Sequence, residues 1–213
     1  MDQLFKDFET ALSKIHDYAM EVEALKDGIP VWHFRYLSEG LINQLWQERC
    51  RFIRELFIKT CNGCVTRNGT VIRARSGTRN TWKHISYDAF PAHIKRRHQN
   101  NSISYMSQEP TWGDWDKLPD YISQIFSSNG GNLHALHDST FIRGGKDLQL
   151  VRNACYHENT ETMSNLGQIN IFYSGKSITF PFEMCWKEEN SSKVSAIYKW
   201  IDDILCAADL STQ

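Results

Sequence analysis

Leu148-Gln149-Leu150-Val151-Arg152-Asn153-Ala154-Cys155-Tyr156-His157 is the stretch on which the reading of this chain turns. Leu148, Val151 and Cys155 recur at three- and four-residue steps, which predicts a helix over residues 147–157 with one apolar face. An α-helix advances about 100° per residue. Asn153 and His157 therefore stand one above the other, on the side away from that face. Arg152 lies on the flank, about 140° from His157. One straight helix cannot aim both side chains at one atom. They converge if the helix ends at His157, or if a second copy of the helix faces the first.

Three further segments carry a helical period. Leu4, Phe8, Leu12, Ile15, Ala19 and Val22 predict a helix over residues 3–26, stopped by Asp27-Gly28 and Pro30. Leu37, Leu41, Leu45, Phe52 and Leu56, flanked by Ile42, Trp46, Ile53 and Phe57, predict a longer one over 36–60. Val194, Ile197, Ile201, Ile204, Leu205 and Ala208 predict a last helix over 191–209, with Asn190, Ser191 or Ser192 as its cap. Shorter helices are expected near 89–98, 117–127 and 131–137. Stripes of this kind must bury against one another, so the expected fold is a mainly α helical bundle. Ile169, Ile171 and Tyr173 alternate, Ser174-Gly175 can turn, and Ile178, Phe180 and Phe182 alternate again. That pattern predicts a small β-hairpin over 168–184, near the C-terminal end. The whole reads as a single domain, 1–213, with residues 62–116 as an insertion.

Composition narrows the classes. Of 213 residues, 41% are hydrophobic and 12% aromatic, which provides for a packed core and argues against disorder. A formal net charge of -1 gives no global field for polyanions, so nucleic-acid affinity would need a local basic patch. Met1-Asp2-Gln3 lacks the basic start of an export signal, and no apolar run approaches the roughly 18–20 residues that span a bilayer. The expectation is a cytoplasmic protein without membrane contact, its six cysteines reduced. Cys61-Asn62-Gly63-Cys64 is a lone CxxC that reads better as a helix end capped by Gly63 than as half of a zinc site. His134 and His137 lack an evident third ligand. Neither a metal nor a cofactor is expected. Ser139, Ser164 and the cysteines carry no nucleophile signature.

Arg152-Asn153-x-x-x-His157, on the third main helix of a bundle with a fourth helix to close it, resembles the R-x4-H signature of the HEPN superfamily. The resemblance covers the motif and the helix order. It implies a two-fold dimer whose paired motifs build one composite cleft, and a metal-independent endoribonuclease of the toxin or phage-defence kind. Arg152 and His157 would be catalytic, and Asn153 would orient His157 or the phosphate. Imidazole exchanges protons near neutral pH. Guanidinium binds phosphate in a fork and stabilises developing charge. Two of each suffice for attack by a 2′-OH. One subgroup carries a modified tyrosine two residues after the histidine; this chain has Asn159 there. Read without the resemblance, Arg152 pairs with a surface acid and His157 caps the helix C-terminus as a cation.

From Arg67 to Arg97 only one charged residue, Asp88, is acidic. Arg73, Arg75, Arg79, Lys83, Lys95, Arg96 and Arg97 are the expected RNA contacts, with Trp82, Tyr87 and Phe90 interleaved. Trp112 and Trp115 follow, and for the aromatic residues a place in the core is preferred. The expected partners are RNA, a second copy and an antitoxin or regulatory protein. Two rival readings stand beside the ribonuclease: a non-catalytic HEPN module for dimerisation or for nucleotide or RNA binding, and a helical adaptor.

Overall fold

The structure is a computed structural model that describes residues 1–75, 80–125, 132–137, 142–175 and 177–213. Arg79 and Ser139 lie outside the described residues. The chain divides into two compact units, one of Met1–Asp7, Cys50–Asp138 and Ala207–Gln213, the other of Phe8–Arg49 and Ser139–Cys206. Three long helices, α1 (Asp2–Ala24), α2 (Val31–Asn62) and α8 (Ala196–Thr212), supply residues to both. The fold is mainly α, as expected, and among the described residues the strands form a small antiparallel hairpin. Among the described residues, no helix is long and apolar enough to cross a membrane.

The stripes bury as their spacing requires. Phe8, Leu12, Ile15, Ala19 and Val22 of α1 are buried, and so are Leu41, Leu45, Phe52 and Leu56 of α2. Leu37 and Val194, at the ends of their stripes, are each 40% exposed. Helix α2 begins at Val31, earlier than the period alone suggests, because Pro30 supplies the first carbonyl to the Phe34 amide. It stops at Gly63, whose φ is +81° and whose place leaves no room for a side chain: a Cβ would stand 2.8 Å from the Ala74 nitrogen.

The first unit holds the hairpin, β1 (Cys64–Val65) and β2 (Val71–Ile72), in register Cys64 to Ile72 and Val65 to Val71. It also holds α3 (Trp82–Ala89), α4 (Ala92–Lys95) and α5 (Leu118–Ile125). Trp112 and Trp115 are buried there, Trp112 edge-on to Phe57 at 5.5 Å. In the second unit α6 (Gly144–Tyr156) packs on α7 (Thr160–Ile169) and on a 3-10 turn, Pro181–Trp186.

Two expectations are corrected. The hairpin lies at residues 64–72, not at 168–184. Ile169 and Tyr173 are buried while Ile171 is 71% exposed, so the apolar residues follow a helical step and not a pleat. Pro181 has no amide for a ladder, and the Glu183 carboxylate accepts from the Thr179 and Phe180 amides at 2.6 and 3.0 Å, which winds a 3-10 turn. The last helix starts at Ala196, later than expected. Asn190, Ser191 and Ser192 do not cap it: the Glu189 carboxylate takes the Ser191 and Ser192 amides at 3.0 and 2.7 Å, and Lys193 sits at φ +59°.

Candidate functional site

Helix α6 carries the motif and is fixed from below. At its start, Gly144 touches α8 so closely that a Cβ would lie 2.7 Å from the Trp200 Cα. The Asp203 carboxylate accepts from the Arg143 and Gly144 amides at 3.1 and 2.9 Å, which satisfies the open N-terminal end. Lys199 bonds the same carboxylate. One turn on, Asp147 is fully buried. Its carboxylate accepts from the Tyr173 hydroxyl at 2.6 Å and from Arg143 at 3.3 Å. The Tyr173 oxygen in turn accepts from Trp200 Nε1 at 2.9 Å. Burial pushes the Asp147 carboxyl above its usual range, against the pull of Tyr173 and Arg143. The Tyr173 phenol is pushed far up by burial and then by Asp147. Leu148, Val151 and Ala154 complete the buried face.

The motif lies on the last turn. Arg152 and Asn153 are half-buried, and Arg152 donates from Nη1 to Asn153 Oδ1 at 3.2 Å. The guanidinium stands over the Tyr156 ring, 4.6 Å from its centre. Arg152 Nε is buried without a hydrogen-bond partner among the described residues. His157 is exposed and ends the helix: its backbone turns to φ -132°, ψ 58°, while its amide still donates to the Asn153 carbonyl at 2.8 Å. The helix thus ends where one route to convergence requires. Arg152 Nη1 is held by Asn153 and the guanidinium lies on Tyr156, and among the described residues no hydrogen bond joins it to His157.

Three neighbours were not legible in the sequence. Glu158, next to His157, stands 3.7 Å from Arg35 of α2, which also bonds Glu39 at 2.7 Å and covers the Phe180 ring at 5.6 Å. Arg35 is therefore the cation that α2 brings to the motif's edge. Asp147 is the third, a buried acid under the motif helix. Burial, then the charge of Glu39, push the Cys155 thiol up to about 12, against the pull of Arg35. Asn159, where a subgroup has tyrosine, caps α7 by accepting from the Thr162 amide at 3.0 Å.

The basic segment belongs to the first unit and is unequal. Arg75 is paired with Asp88 at 2.7 Å, and Arg67 bonds Asp209 and covers the Phe5 ring at 3.8 Å. Lys95 reaches Gln124 at 3.3 Å and stands over Tyr87. Arg73, Lys83, Arg96 and Arg97 are exposed. Trp82, Tyr87 and Phe90 are half-buried, Phe90 stacked on His98 at 5.6 Å.

Among the described residues, no three His, Cys, Asp or Glu side chains are grouped to hold a metal ion. Burial lifts the Cys61 thiol to about 12 and raises Cys64 as well, while His84 bonds Thr81. His134 and His137 bond each other through ring nitrogens 2.9 Å apart. No protein-family model, curated protein or solved structure matches this chain.

Proposed function

We propose that the chain is a HEPN-type endoribonuclease of toxin or phage-defence kind, active as a homodimer and independent of metal. The observation that supports this reading is the last turn of α6, where a half-buried arginine and an exposed histidine flank Asn153. Within one chain Arg152 and His157 do not bond each other, so a second copy is called on to complete the cleft.

In the proposed reaction the neutral His157 of one copy takes the proton of the 2′-OH. The 2′-oxygen forms a bond to phosphorus and the bond to the 5′-oxygen breaks. The protonated imidazole of the other copy gives its proton to that leaving oxygen. The paired Arg152 guanidinium groups hold the phosphate and its added charge. Asn153 keeps Arg152 in place through its Oδ1. Arg73, Lys83, Arg96 and Arg97 add affinity for the strand and take no part in the chemistry.

The test is cleavage of RNA in EDTA by the wild type, His157→Ala and Arg152→Ala, with light scattering on the same samples. The wild type should be a dimer and cut. Each variant should lose about 10²–10⁴-fold in rate with its fold intact. A monomer, a requirement for magnesium, or full activity in His157→Ala contradicts the reading. RNA binding without cleavage would favour the non-catalytic module.

A further inference from the structure

Tyr156 stands between Cys155 and His157 on the last turn of α6 and is 54% exposed, so its large ring does not serve the core. It comes four residues after Arg152, the spacing that makes two side chains neighbours on a helix surface. The Arg152 guanidinium lies over the ring, 4.6 Å from its centre. Asn153 Oδ1 accepts from Nη1 of the same group at 3.2 Å. The two contacts are complementary. The N–H groups of a planar guanidinium point within its plane, so the hydrogen bond fixes its reach, and the ring beneath fixes its tilt.

Among the described residues Arg152 forms no ion pair with a carboxylate. A carboxylate would hold the guanidinium and cancel its charge. An aromatic face holds the cation and leaves the charge for an anion. Arg152 Nε is buried without a hydrogen-bond partner among the described residues. The charge is thus partly cut off from water, where a ring face attracts it more strongly than at a fully wet site. We propose that Tyr156 is a positioning residue of this site: its ring sets the tilt of the Arg152 guanidinium and keeps its charge available to the phosphate. The phosphate, and with it the consequence for cleavage, rests on the ribonuclease reading; the orienting contact does not. The role belongs to the ring and not to the hydroxyl, so phenylalanine should serve in its place and leucine should not.

Tyr156→Phe and Tyr156→Leu are compared with the wild type in two measurements. The first is the Arg152 Nε–H resonance in nitrogen–proton correlation spectra, assigned by its loss in Arg152→Lys. A proton above a ring face is shifted upfield, so the resonance should move downfield in Tyr156→Leu and hold its place in Tyr156→Phe. The second is single-turnover cleavage of RNA in EDTA over a range of protein concentrations. Tyr156→Leu should cut roughly 10-fold more slowly at saturation, with the half-saturating concentration little changed. Tyr156→Phe should cut as the wild type does. In an Arg152→Ala background Tyr156→Leu should cost nothing further, because its route to the reaction runs through that guanidinium. The melting temperature should hold in both Tyr156 variants, since the ring is more than half exposed. A full rate in Tyr156→Leu, an equal loss in Tyr156→Phe, or a further loss in the Arg152→Ala background overturns the assignment. A resonance that moves in Tyr156→Leu, in a protein whose wild type never cuts RNA, would remove the ribonuclease reading and leave the contact. A rate lost in Tyr156→Leu with the resonance unmoved would remove the contact and leave the ribonuclease reading.

Discussion

Tyr173→Phe removes one oxygen from the centre of the network that holds α6. That hydroxyl donates to buried Asp147 at 2.6 Å and accepts from Trp200 Nε1 at 2.9 Å. A hydrogen bond to a charged group contributes about 1.5–3 kcal/mol, and a buried donor left open costs about 1–3 kcal/mol. The two losses share one atom and are not additive, so the expected destabilisation is about 3–4 kcal/mol. In a chain of this size that lowers the melting temperature by roughly 10 °C. Urea titrations followed by circular dichroism should show a lower midpoint with an unchanged slope. Tyr198→Phe is the matched control. Its hydroxyl donates to Glu23 at 2.8 Å in an exposed setting, and its loss should cost about 0.5 kcal/mol. If the two variants are destabilised equally, or Tyr173→Phe by less than about 1 kcal/mol, the network does not anchor the helix.

Three further outcomes rest on the same side chains and on the basic segment. Burial raises the Asp147 carboxyl above its ordinary 3.8. The folded chain therefore keeps that proton to higher pH than the unfolded one, and this group's contribution to stability falls as pH rises through the raised value; Asp147→Asn should flatten that part of a urea-midpoint series across acid pH. Gly144→Ala should cost about 1–3 kcal/mol by forcing α6 away from the Trp200 backbone, read as a drop in melting temperature. Replacing exposed Arg73, Lys83, Arg96 and Arg97 by Ala should weaken RNA binding and reduce its salt slope by about 0.7 for each phosphate that is no longer neutralised; Arg75→Ala should change the slope less, since Asp88 already holds that guanidinium.

The long helices were legible because one buried face imposes one period, and Phe8 to Val22 or Leu41 to Leu56 declare it residue by residue. Their ends were less so. Glu189 gathers the amides of Ser191 and Ser192 into a turn, and nothing in the period of α8 announces that competition. Helix α7 was overlooked because Thr160-Glu161-Thr162-Met163-Ser164 is poor in apolar residues; Asn159 and Thr162, three apart, were the available signal of a capped start. Ile169, Ile171 and Tyr173 fit both a strand and a helix end, and only burial separates the two. Within the site, Arg152, Asn153 and His157 were visible as a spaced triplet. Asp147 was not, since an acid beside Leu148 looks like an ordinary solvated helix position until Tyr173 and Arg143 close over it. Arg35 comes to Glu158 from a distant part of the chain, a pairing that no local pattern encodes.

The most direct measurement of the central claim uses a single-cut RNA oligonucleotide in EDTA, with and without one 2′-deoxy substitution at the cut linkage, and identifies the product ends. Wild-type protein should release a 2′,3′-cyclic phosphate from the all-ribose substrate and leave the substituted linkage whole, and His157→Ala should cut neither. Cleavage of the 2′-deoxy linkage, or an undiminished rate without the His157 imidazole, would contradict the account.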